Sequence, residues 1–135
     1  MSHIVQDQEA KIVDLKCLAR ACRTLGCVLD MDAKTQVYYG GSTNKVDGVI
    51  RHATKDKAYQ VGLVKNGNSK SFSLAYDDFC GGNGMSEAVG MKCVSLKKEY
   101  VKEVLKKSLK EAGHTGVKIR ERLLANGCVE ITATT

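Results

Sequence analysis

The chain has 135 residues with no proline and no tryptophan, and aromatic residues make up only 5% of it. The first two absences carry no functional conclusion. The scarcity of rings limits how much of any ligand could be held by stacking. No run of about 18 apolar residues occurs, which excludes a helical membrane span. Residues 1–11, MSHIVQDQEAK, hold neither an apolar core nor a basic leader, so no secretory signal is expected and the cytoplasm is the expected compartment. No Cys-x-x-Cys pair is present among the six cysteines, Cys17, Cys22, Cys27, Cys80, Cys93 and Cys128. That removes the usual half-site for structural zinc. Cys17, Cys22 and Cys27 are five apart, a step of about 140° on a helix, so one helix cannot aim all three at one metal. Without export, reduced thiols serving as small buried hydrophobes are expected.

Catalytic signatures are equally scarce. His3, His52 and His114 are scattered, and none has a Cys close in sequence. Asp77-Asp78 could form half of a metal or acid/base site, but paired acids at a strand end are the usual chemistry of a cap or turn. A binding protein rather than an enzyme is expected, with no cofactor and no metal.

A moderate positive charge is present, +6 at pH 7, spread along the chain. It permits nucleic acid or another anionic partner. Residues 58–78, AYQVGLVKNGNSKSFSLAYDD, read as an antiparallel hairpin. Tyr59, Val61 and Leu63 alternate with Gln60, Gly62 and Val64, and Phe72, Leu74 and Tyr76 with Ser71, Ser73 and Ala75. Asn66-Gly67 suits the positive-φ backbone of a hairpin turn. Lys65 and Lys70 make its tip basic.

Before the hairpin, residues 3–13 read as a first strand. Asp14 is positioned to cap a helix with Leu15, Leu18, Ala19, Cys22 and Leu25 on one face, ended by Gly26. Lys16, Arg20 and Arg23 share its other face. Residues 27–31 and 35–39 are expected to pair around Asp32-Ala33-Lys34, and 46–52 to form another strand. After the hairpin, CGGNGMSEAVGMKC (residues 80–93) reads as a flexible glycine-rich loop. Tyr76, Asp77, Gly81, Gly82 and Gly84 are its candidate ligand residues, since bare amides can approach a phosphate. It lacks the G-x-x-x-x-G-K-[ST] pattern. Residues 96–112 predict a long helix with Val101, Val104, Leu105, Leu109 and Ala112 on its apolar face and Tyr100 at the edge. Lys98, Lys102, Lys106 and Lys110 lie on one flanking ridge. Residues 116–124 and 128–134 predict a last hairpin around Asn126-Gly127, with a bulge at Leu123-Leu124.

This order predicts one α+β domain over residues 1–135. Its antiparallel sheet would have roughly six to eight strands, with both amphipathic helices on one face and the other face open or covered by a partner.

The opening Met1-Ser2-His3, the helix ending LARACRTLG, the hairpin YQVGLVKNGNSKSFSLAYD, the helix EYVKEVLKKSLKEAGH and the closing RERLLANGCVEITA together resemble a small uncharacterised family. It occurs in algal plastid genomes, where it is known as a hypothetical chloroplast reading frame, in cyanobacteria and in some bacteriophages. The likeness covers most of the chain by order and pattern. Members of that family place tryptophans after the second hairpin strand, where this chain has Tyr76-Asp77-Asp78-Phe79. The resemblance implies no established activity. It would place a plastid-encoded member in the stroma and a phage-encoded member in the host cytoplasm, as an accessory or anti-defence protein.

Three partner classes follow from these features. The first is nucleic acid, bound by Arg20, Arg23, Lys65, Lys70, Lys102 and Lys106, with Tyr38, Tyr39 or Tyr59 to stack bases. The second is a small anionic ligand such as a nucleotide at the glycine loop. The third is a second copy of the chain, or another protein, in a structural or adaptor role.

Overall fold

A computed structural model describes residues 4–113, 118–123 and 129–134. The architecture is α+β and antiparallel. A five-stranded sheet runs in the order β1 (Val5–Ile12), β7 (Phe72–Tyr76), β6 (Val61–Lys65), β5 (Gly48–His52) and β2 (Cys27–Asp30). Two further ribbons pair β3 (Thr35–Val37) with β4 (Thr43–Lys45), and β8 (Lys118–Leu123) with β9 (Val129–Thr134).

Helix α1 (Leu15–Thr24) starts where its cap dictates. The Asp14 side chain accepts from the Cys17 N–H at 3.0 Å, and Gly26 takes a φ of 77° just past the end. Its buried stripe is Cys17, Leu18, Ala21 and Cys22. Helix α3 (Val94–Glu111) begins two residues before its expected start. The sequence places Tyr100 at the edge of its apolar face, but Leu96 and Tyr100 are the buried residues and Val101 is 42% exposed. The reason is specific: the Tyr100 hydroxyl oxygen accepts from the N–H groups of Val13 and Asp14, at 2.9 and 3.0 Å, tying α3 to the start of α1.

Both helices cover one face of the sheet. Leu18, Cys22 and Leu96 pack with Ile50, Val61, Leu63, Leu74 and Tyr76 in a single core. Each large aliphatic buried there contributes about 1.5–3 kcal/mol relative to exposure. The four cysteines whose side chains are described, Cys17, Cys22, Cys27 and Cys93, are free and buried. Burial pushes the thiols of Cys22 and Cys93 up to about 12, so they stay protonated and inert.

The 58–78 hairpin forms as expected, with Leu63 opposite Leu74. Its connection is wider than a two-residue turn. The Asn66 N–H donates to the Ser71 carbonyl, the Ser69 N–H donates back to the Asn66 carbonyl, and Gly67 alone carries a positive φ of 56°. The Asn66 side chain bonds the hydroxyls of Ser71 and Ser73, so the tip is held internally.

Three expectations are corrected. Residues 27–31 do not pair with 35–39: β2 pairs with β5, and β3 with β4. The Asp30 carboxylate accepts from the N–H groups of Asp32 and Ala33, which turns the chain away from a simple hairpin. The sheet's second face is not simply open or left to a partner, because β3 and β4 lie over part of it. Gln36, fully buried, donates to the carbonyls of Gln60 and Ala75 at 2.7 and 2.8 Å and accepts from Asn44 Nδ2 at 3.2 Å. Gly62 makes the room, since a Cβ there would stand 2.5 Å from Val46 Cγ1 and 2.6 Å from Gln36 Oε1. Finally, 80–93 is not an open loop. It folds as a 3₁₀ stretch (Phe79–Gly84), a short helix α2 (Met85–Val89) and one further turn (Met91–Cys93). His3, His114, Leu124, the Asn126-Gly127 turn and Cys128 lie outside the described residues.

Candidate functional site

The six basic residues singled out in the sequence do not form one patch. Arg20 and Lys106 come together, because α1 and α3 pack side by side and turn their outer edges toward a common groove of about 890 Å³. Lys16 and Arg20 line it from α1, and Lys106, Lys107 and Lys110 from α3; Glu103 and Glu111 are its carboxylates. Five cations face two carboxylates there, among the described residues. Among the described residues, no carboxylate pairs with Lys16, Arg20 or Lys110. Lys106 stands 3.8 Å from Glu103, while Lys107 is bonded to Asp14. That pair has an electrostatic signature. The Lys107 ammonium first, then the Cys17 N–H, lowers the Asp14 carboxyl from its ordinary 3.8 to about 2.

The remaining candidates sit elsewhere. Arg23 borders a shallow depression with Gly26, Val28 and Ala53. Lys65 and Lys70 are exposed on the hairpin tip, away from the helices. Lys102 is already engaged by Glu99 and by Glu121 of β8, and Lys98 bonds Glu121 at 3.2 Å. The basic ridge on α3 is therefore divided, its first half holding β8 and its second half facing the groove.

No family model, curated protein or solved structure matches this chain.

The Tyr76–Gly84 stretch is built into the fold. Asp77 Oδ1 accepts from the Phe79 N–H at 2.9 Å, and Asp78 accepts from the Ser86 hydroxyl and the Lys92 N–H. Asp77 thus closes an Asx turn onto Phe79, and Asp78 ties Ser86 of α2 to the backbone of the turn before α3. Asp77 is 7% exposed, and its Oδ2 is buried without a hydrogen-bond partner. Asp77 also lines a cavity of about 10 Å³ with Tyr59, Tyr76, Met85 and Cys93. The Gly82 carbonyl accepts from the Tyr59 N–H at 2.8 Å, and the Lys55 side chain lies against Gly84. A Gly-rich run flanked by Asp77, Asp78 and Glu87 is a poor setting for a phosphate.

Of the three tyrosines considered for stacking, Tyr59 is buried at 6% exposure, so its ring is not offered to a base. Tyr39 is half exposed and meets Phe79 edge-on, with ring centres 5.4 Å apart. Among the described residues, no group of three His, Cys, Asp or Glu side chains is placed to hold a metal ion, and no helix is long and apolar enough to cross a membrane.

Lys107 is the groove residue absent from the sequence-based candidates, while Lys16 stood there on the basic face of α1 beside Arg20 and Arg23, and Lys110 on the basic ridge of α3. The available signal was that α1 and α3 share one sheet face, which forces two basic edges to meet.

Proposed function

We propose that this protein is a nucleic-acid-binding module that engages phosphates through the groove between α1 and α3. The observation that carries the reading is the convergence there of Lys16, Arg20 and Lys110, cations from two helices with no carboxylate partner among the described residues. Charged groups held side by side without neutralisation favour an anion that can span them. A polyphosphate backbone does so and gains further by releasing condensed counterions. The groove is wide and open rather than enclosed, which suits a chain passing through it better than a small ligand that must be surrounded.

Fluorescence anisotropy with mixed-sequence single- and double-stranded nucleic acid at about 50 mM salt tests this reading. The wild-type chain is expected to bind, and the variant K16A/R20A/K110A to bind at least about tenfold more weakly. All three side chains lie on helix surfaces, so the variant should keep its circular dichroism spectrum. Absence of wild-type binding, or an unchanged affinity in the variant, rules the groove out.

A further inference from the structure

The β8–β9 ribbon offers a second, differently shaped basic surface. Register places Arg120 opposite Thr132 and Arg122 opposite Glu130. Strand alternation puts Lys118, Arg120 and Arg122 on one face, repeating every two residues, or about 6.8 Å. All three are exposed, as are Thr132 and Glu130. Ile119, Glu121 and Ile131 belong to the opposite face, and it is Glu121 that bonds Lys98 and Lys102 of α3. The ribbon is thus backed by a helix, with its basic face turned to solvent.

Resting on the reading of this chain as a nucleic-acid binder, we infer that the exposed face of the β8–β9 ribbon lies in the major groove of B-form duplex DNA. Two strands about 4.8 Å apart fit within a groove about 12 Å wide, which admits a two-stranded ribbon. The residue types match what that groove displays. Arginine pairs with guanine O6 and N7, a carboxylate accepts from cytosine N4, and threonine meets the thymine methyl. Glu130, 3.1 Å from Arg122, holds that guanidinium in place without covering it: the Arg122 side chain remains 70% exposed. No aromatic residue occurs in Lys118–Leu123 or Val129–Thr134, so the ribbon has no platform for unpaired bases. Duplex RNA is the poorer fit, because its major groove is deep and narrow.

The test titrates the full-length chain with three labelled probes of one mixed sequence: duplex DNA, duplex RNA and single-stranded DNA. Its variants are K118A/R120A/R122A, the single change Arg120→Gln, and the groove variant K16A/R20A/K110A. The wild type is expected to prefer duplex DNA to both other probes by about tenfold. The ribbon triple should lose about tenfold or more on duplex DNA and much less on the others, and Arg120→Gln a smaller part of that loss. Equal wild-type affinity for the three probes overturns the inference. So does binding of duplex DNA by both ribbon variants within about twofold of wild type, and in that case a loss in the groove variant leaves the groove reading standing. If the wild type binds none of the probes, both readings fall together.

Discussion

At the scale of the residue, Gly62 is where the ribbon over the second sheet face meets β6. A methyl group there would collide with Val46 Cγ1 and with Gln36 Oε1, the latter held by Asn44. Gly62→Ala should therefore destabilise the fold by about 1–3 kcal/mol, read as a lower midpoint in urea denaturation. A midpoint equal to wild type would mean that Gln36 is not seated against the sheet. Asp14 carries the pH dependence. Its carboxyl is lowered in the folded chain, so the stability it confers is present above its ordinary 3.8 and is lost as pH falls toward about 2. Thermal midpoints should drop across that window, and Asp14→Asn should drop less. Asp14 as a cap was legible in the sequence because the signal is local: an Asx residue followed three positions on by an N–H that needs an acceptor. Gln36 was not legible. Its role depends on carbonyls 24 and 39 residues away.

At the scale of the element, the segment between β7 and α3 is held by unusual backbone. Lys92 and Cys93 are consecutive non-glycine residues with φ of 56° and 58°. The Lys92 N–H still reaches Asp78 Oδ2 at 2.7 Å, so the conformation is anchored. Lys92→Gly should keep that bond while relieving the left-handed strain, raising stability by about 0.5–1 kcal/mol in chemical denaturation. A loss of stability would show that the Lys92 side chain contributes more than its backbone costs. The hairpin, both long helices and the last ribbon could be read from periodicity and turn residues. Strand partners could not: β2 lies next to β3 in sequence but pairs with β5, a choice made by packing over α1. The glycine-rich segment misled for a related reason. Glycine marks positive φ, and in 79–93 that freedom turns short helices rather than opening a loop.

At the scale of the whole molecule, the net charge of +6 is not evenly available. Lys97, Lys98 and Lys102 pair with Asp7 and Glu121, and Lys55 faces Glu87. These pairs join elements, and among the described residues the α1/α3 groove, the outer ribbon face and the Lys65/Lys70 hairpin tip keep exposed cations. Composition reveals the excess but not its location, since location depends on which carboxylates the fold brings near. The central claim is that cations converging from two helices take the phosphates of a nucleic acid. Its most direct measurement is the salt dependence of binding, as log K against log salt concentration, for the wild type and K16A/R20A/K110A. Each phosphate contact contributes about −0.7 to −0.9 to that slope, so removing three should flatten it by about 2 to 3. Parallel lines for the two proteins, or no binding by the wild type even at about 50 mM salt, would contradict the account.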